Sequence, residues 1–163
     1  MKKITFAFLC LISISCKAQS PVYNITDLSN VVQQVYGAYH KDIDSLLNPF
    51  EGTYIFNQEG RMLKIVLEKK TLSSRNSYLY EDILIGEYQY AINSVDKVNT
   101  LNRLNVNYTD KRNHSIDSNF IITAGDIGCS ECAPNEKALT GGLVDRASKN
   151  SAQLTIRKVT VNG

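Results

Sequence analysis

Histidine occurs twice in the 163 residues, tryptophan never, and no block of like charges or low-complexity tract interrupts the chain. Each shortage removes a class of function. His40 and His114 stand alone, and Cys129-Ser130-Glu131-Cys132 has no second CxxC to match it, so ligands at zinc-site spacing are too few. Lys and Arg number 18 against 16 Asp and Glu, but Lys2 and Lys3 belong to the first fifteen residues, and without them the signs balance. A near-neutral chain with no basic run carries no electrostatic footprint for nucleic acid.

Long apolar runs are equally scarce. The one present, Ile4 to Cys16, follows the basic Met1-Lys2-Lys3. As a helix it would reach roughly 20 Å, against a bilayer core of about 30 Å. Residues 1–18 therefore read as a secretory signal peptide and not as a membrane span. Two cleavage sites are open. Ser13-Ile14-Ser15-Cys16 is a loose bacterial lipobox, which would acylate Cys16 and anchor the protein in the envelope membrane. Ala18 before Gln19 suits ordinary cleavage and a periplasmic or secreted protein.

What remains is enough for one domain. Residues 19–26 form a polar linker containing Pro21, and residues 27–163 the domain. Asp27 is placed to cap a short helix in which Leu28, Val31, Val32, Val35 and Tyr36 make one apolar stripe ended by Gly37. A helical turn at Ile43 to Leu47 stops before Pro49. Thereafter the period is that of strands. Asn48-Pro49-Phe50-Glu51-Gly52-Thr53-Tyr54-Ile55-Phe56 enters a first hairpin that turns at Gly60, and Leu63, Ile65 and Leu67 share one face of its second strand. Thr71 to Ser77 reads as a loop. Further strands are expected at Tyr78 to Ile92, with Gly86 marking a bulge or bend, and at Leu101 to Tyr108, Phe120 to Ala124, Leu139 to Val144 and Gln153 to Val161. About seven or eight strands at this spacing predict a mainly β domain, a single antiparallel barrel or sandwich with one short N-terminal helix.

Candidate chemistry is sparse. Cys10 leaves with the signal and Cys16 is lipidated or removed, so Cys129 and Cys132 are the cysteines of the folded domain, in an oxidising compartment. A loop disulfide worth no more than about 2 kcal/mol is the plain reading; a labile redox pair, a metal half-site and free thiols are the alternatives. His40 and His114 read as solvated loop side chains. Glu81 and Asp82, adjacent on a strand, point to opposite faces and cannot form one acid pair, while Asp42 and Asp44 read as caps of the turn before Pro49. Tyr54, Tyr88, Tyr90 and Tyr108, four of nine tyrosines, are candidates to line a pocket for an apolar or sugar ligand, against the ordinary role of tyrosine as a half-buried strand residue.

The stretch Tyr39 to Tyr54, the signal end Cys16-Lys17-Ala18-Gln19 and the strand Tyr80-Glu81-Asp82-Ile83-Leu84-Ile85-Gly86-Glu87-Tyr88-Gln89-Tyr90 together resemble an uncharacterised family of small exported proteins and lipoproteins of Bacteroidota. That resemblance implies an address and a fold, without an activity. Gly52-Thr53-Tyr54 is also similar in position to the Gly-x-Trp motif of lipocalins and related calycin barrels, with Tyr54 in place of the tryptophan. The analogy implies that Tyr54 plugs one barrel end and that Arg157 lies across its ring. The expectation is thus a non-enzymatic envelope lipoprotein, anchored through Cys16 and needing no cofactor or metal, that binds an apolar small molecule or an envelope protein. The alternatives are a secreted interaction module and an enzyme, either a thiol-disulfide redox protein using Cys129 and Cys132 or a hydrolase without a recognisable motif.

Overall fold

The computed structural model describes residues 20–27, 35–75, 78–123, 125, 128–133, 135–146 and 148–158. Nine strands form one mixed sheet: β1 (Val22–Asn24), β2 (Tyr39–Lys41), β3 (Gly52–Gln58), β4 (Arg61–Arg75), β5 (Leu79–Ile92), β6 (Val95–Asn99), β7 (Ile116–Thr123), β8 (Lys137–Val144) and β9 (Ser151–Arg157). The signal peptide with Cys16, and positions 28–34 of the expected helix, lie outside the described residues. Helical geometry among the described residues is confined to short 3₁₀ turns, as at Asn48–Phe50, Leu101–Arg103 and Lys111–Asn113.

β5 is the centre. Its residues from Glu81 to Tyr88 are buried on both faces, which explains why the stretch shows no alternation between an apolar and an exposed polar side. One edge of β5 pairs with β4 along its whole length, from Leu79↔Arg75 to Ile92↔Arg61. The other edge is divided among three partners: β2, parallel, at Tyr80 and Glu81; β7 at Leu84 to Gly86; and β6 at Gln89 to Ile92. From these the sheet continues to β1 through β2, to β3 through β4, and to β8 and β9 through β7.

This branching corrects the expected antiparallel barrel or sandwich. A barrel needs every strand to pass its hydrogen bonds round a single ring, and a strand that splits one edge three ways starts branches that end freely. The sheet curls far enough for Lys158 Nζ, just past β9, to reach Pro49 O, just before β3, at 3.5 Å, but among the described residues no ladder joins β3 to β9 and the sheet is not closed. Parallel β1 replaces part of the expected linker, and β2 lies between the expected helix and the expected turn at Ile43 to Leu47. A short strand that borrows its partner from far along the chain leaves little period of its own to read.

Inside the curl lies one core: Leu84 and Tyr88 of β5, Ile65 and Leu67 of β4, Ile116 of β7 and Leu139 of β8, roofed by Ile25, Leu47 and Phe50. Gly86 faces this core between Leu84 and Tyr88. It is in regular register with Leu67 and Ile116, so the expected bulge is absent there. A Cβ at Gly86 would strike Leu67 Cδ2 and come within 2.8 Å of Val66 O. The irregularities lie elsewhere, between Lys70 and Ser73 in β4, between Asp117 and Phe120 in β7, and opposite Tyr90 and Ala91 where β5 meets β6. Gly86→Ala is expected to destabilise the fold by about 2 kcal/mol, read as a lower midpoint in urea with an unchanged slope; an unchanged midpoint would contradict this packing.

Candidate functional site

Alternation along β5 sends Leu84, Gly86 and Tyr88 to the core and Glu81, Ile83, Ile85 and Glu87 to the opposite face. A strand cannot carry carboxylates into its buried stretch unless each is supplied with donors. Asp82, on the core side, accepts from Tyr39 Oη (2.5 Å), the Asp42 amide (3.0 Å) and the Leu72 amide (3.1 Å). It thereby holds the end of β2 and the β4 bulge, where Leu72 takes φ 49°. Asp42 in turn caps the next turn, accepting from the amides of Leu46 (2.7 Å) and Leu47 (3.0 Å) and from Lys69 Nζ (2.6 Å). Asp44 accepts from Asn24 Nδ2 at 2.7 Å instead. Glu81, one residue before Asp82 and on the other face as expected, is gripped at both oxygens by Arg112 Nε and Nη2, each at 2.9 Å, and by Asn119 Nδ2 at 2.8 Å.

Arg112 also donates to Asp117 at 2.6 Å. Burial works to lower its pKa, but Glu81 and Asp117 outweigh burial and hold it above its ordinary value. For Asp117 the balance is reversed: burial lifts its carboxyl above the ordinary range despite the pull of Arg112.

Glu87 is the third carboxylate of β5. It is 0 % exposed and His114 1 %, with His114 Nδ1 3.0 Å from Glu87 Oε1 and the Ser115 amide 3.3 Å from the same oxygen. The solvated loop role expected for His114 is therefore wrong: its polar neighbours Asn113 and Ser115 concealed a side chain drawn inward by a carboxylate on a distant strand. Among the described residues, His114 Nε2 and Glu87 Oε2 have no hydrogen-bond partner. The Tyr108 ring packs edge-on to the imidazole at 4.9 Å, and Arg103 Nε and Nη2 hold the Tyr108 hydroxyl at 2.9 and 2.6 Å. Arg146 Nη2 secures the backbone beneath, donating to Asn113 O (2.7 Å) and His114 O (2.8 Å).

The segment carrying these residues crosses the polar face of the sheet instead of forming the strand expected at Leu101 to Tyr108. Thr100 pins its start through its amide (2.9 Å) and hydroxyl (3.1 Å) to Tyr88 O, and local turns at Arg103 and Leu104 follow. Between this crossing and the β4 bulge lies a cleft of about 720 Å³, walled by residues 69–74 on one side and 104–109 on the other, with Lys111 and His114. Ser73, buried in its wall, leaves its Oγ unpartnered.

The candidate tyrosines do not line one pocket. Tyr54 donates to Phe50 O at 2.8 Å, Tyr88 to Asp145 at 3.1 Å, and Tyr54, Tyr88 and Tyr90 belong to the core cluster, whereas Tyr108 lines the cleft beside His114. Arg157 donates to Glu136 at 2.8 Å, and among the described residues it makes no ring contact with Tyr54. Cys129 and Cys132 form a disulfide in the β7–β8 connection. Ser73 and Lys111 of the cleft, and Glu87 behind His114, were missed by sequence reasoning; the available signal was Glu87, a charge inside a buried stretch of strand.

These features define a class, a branched mixed β-sheet domain with a filled apolar face and a cleft over a buried Glu–His pair on its polar face. The chain belongs to DUF6705, a family of unknown function whose model matches residues 1–162. No curated protein and no solved structure matches it.

Two outcomes test the buried polar groups. His114→Leu leaves Glu87 without its counterpart and is expected to cost about 3 kcal/mol or more, while Glu87→Leu with His114→Leu recovers most of that loss; additive effects in the double-mutant cycle would show that the two side chains do not interact. Burial, and then the carboxylates of Asp82 and Asp145, push the hydroxyls of Tyr39 and Tyr88 up to about 12 from 10.0. Their unfolded counterparts ionise near the ordinary value, so the stability they contribute is fully present below about pH 10 and is lost as pH rises towards 12. Tyrosinate absorbance is expected to show a late-titrating class that shrinks in Tyr39→Phe; an unchanged class in that variant would remove Tyr39 from it.

Proposed function

We propose that the protein is a non-catalytic module of the cell envelope, exported by a signal that is cut before Cys16 and held at the membrane by an acylated Cys16, whose working surface is the polar-face cleft and whose ligand is a small polar molecule. The observation that carries this reading is the contrast between the two faces of the sheet. The apolar face is packed with its own side chains, while the polar face keeps a cleft of about 720 Å³ beside the buried Glu87–His114 pair. Ligand sites are concave and present a few convergent polar groups, and His114 Nε2 and Ser73 Oγ are polar atoms that the fold itself leaves unused. Anchoring rests on the lipobox-like Ser13 to Cys16. One acyl chain binds a membrane only reversibly, and stable attachment takes a second chain or contact.

A second reading, an apolar ligand, has one observation in its favour: a depression of about 420 Å³ on β3 lined by Thr53, Tyr54, Ile55, Phe56, Leu63 and Ile65, with Ile55 and Phe56 exposed. Native mass spectrometry of the protein expressed with its own signal sequence separates these possibilities. The expected spectrum shows an acylated chain beginning at Cys16 and a co-purified small molecule that is lost in Asn107→Trp, which fills the cleft. An unmodified chain beginning at Gln19 would overturn the anchor. A ligand retained in Asn107→Trp and lost in Thr53→Trp would move the site to β3.

A further inference from the structure

We propose that the cleft takes a small oxyanion, a phosphate or carboxylate carried on a hydroxylated molecule; this rests on the cleft being the working surface. The first ground is the sign of its charges. Among the described residues that line it, every ionisable group of definite charge is a cation, Lys69, Lys70 and Lys111, and none is a carboxylate. Two of these cations are matched by carboxylates elsewhere: Lys69 Nζ reaches Asp42 at 2.6 Å and Lys70 Nζ reaches Glu68 at 2.7 Å. Lys111 is different. Its ammonium donates to Asn107 Oδ1 and to Tyr108 O (2.8 Å), both neutral, and among the described residues no carboxylate pairs with it. A partly buried ammonium with neutral acceptors alone binds an oxyanion with a charge-assisted hydrogen bond.

The second ground is independent of charge. His114 is held through Nδ1 by Glu87, and among the described residues its Nε2 has no partner; Ser73 Oγ, in the opposite wall, is likewise without one. A carboxylate-bound imidazole offers its other nitrogen to a ligand. A hydroxyl both donates and accepts, so Ser73 suits the hydroxyls of the molecule that carries the anion, as do the amide side chains of Asn105 and Asn107 at the rim. Both unpartnered atoms are sealed from water. A ligand that reaches them has to shift the side chains above, and the Tyr108 ring against His114 is the obvious one to move.

The test is an amide NMR titration of the exported, mature chain with glucose 6-phosphate, inorganic phosphate, glucose, and phosphatidylglycerol vesicles in turn. Glucose 6-phosphate is expected to shift the amides of Asn107, Lys111 and His114 where glucose does not. Lys111→Gln, a substitution in a half-exposed turn that spares the buried pair, is expected to weaken that binding about tenfold or more, and added salt is expected to weaken it further. Saturable, Lys111-dependent shifts with inorganic phosphate support a free solute as the source; the same shifts with vesicles alone support a lipid headgroup. Equal shifts with glucose and glucose 6-phosphate, unaffected by Lys111→Gln, would overturn the oxyanion while leaving the cleft as a polar site. No cleft shift with any anionic probe at millimolar concentration would overturn it too, with the cleft then judged by the Asn107→Trp spectrum alone. Vesicle-induced shifts of the Asn107 and His114 amides that persist in Lys111→Gln would place the attraction elsewhere and likewise reject it, whereas attachment of the acylated chain to vesicles is expected from the Cys16 anchor alone.

Discussion

A carboxylate taken out of water has to be given hydrogen-bond donors, and β5 buries Glu81, Asp82 and Glu87 within seven consecutive positions. Each of them recruits a segment that apolar packing alone would leave undefined. Asp82 fastens the end of β2, the hydroxyl of Tyr39 and the bulged Leu72; Glu81 fastens Arg112 and Asn119; Glu87 fastens His114 and the amide of Ser115. Apolar burial is non-directional, so it collapses the sheet without specifying which turn lies where. The carboxylates are directional, and removing one partner of such a pair is far more costly than replacing both.

The second constraint is that a strand has two edges. With β4 occupying one edge of β5 entirely, β2, β7 and β6 have to share the other in short ladders. Short ladders hold their strands weakly, and the acids compensate for this: Glu81 and Glu87, which flank the β7 pairing, tie down Arg112 and His114 immediately before β7 begins. Gly141 completes the arrangement on the next strand, because a side chain there would strike Asp117 O and Ser118 Cβ, where β7 bulges.

Where the local pattern and the tertiary environment agreed, the fold was legible. Leu63, Ile65 and Leu67 alternate as a half-buried strand should, and β4 runs through them. Glu81 and Asp82 had to face apart, and they do. Thr71 to Ser77 is polar enough to pass for a loop, yet Ser73 to Arg75 remain paired with β5 once a one-residue slip is taken up at Thr71 and Leu72. Leu104, Val106 and Tyr108 alternate like a strand, but Thr100 redirects the chain into a turn before any ladder forms. β1 and β2 owe their existence to each other and to β5, and three-residue strands leave no period to detect. The Cys129–Cys132 bond agrees with the plain reading of that CxxC, for which the sequence also left a redox pair, a metal half-site and free thiols open. The Glu87–His114 pair was not legible, because 27 residues separate its members and nothing local announces it.

The same constraint explains why the polar face retains the larger cleft, while the apolar face keeps only the smaller depression on β3. Core side chains can slide and interdigitate until voids close, since any apolar neighbour serves. The cleft walls lack that freedom. One is a bulge fixed by a hydrogen bond from Leu72 to Asp82, and the other is a crossing pinned at Thr100, at Tyr108 by Arg103 and at His114 by Glu87. To close the gap between them, one of these polar attachments would have to break, at a cost of about 1–3 kcal/mol for each buried group left unmade. The two walls therefore stand apart for the same reason that the segments are ordered at all, and Ser73 Oγ and His114 Nε2 are left between them without partners.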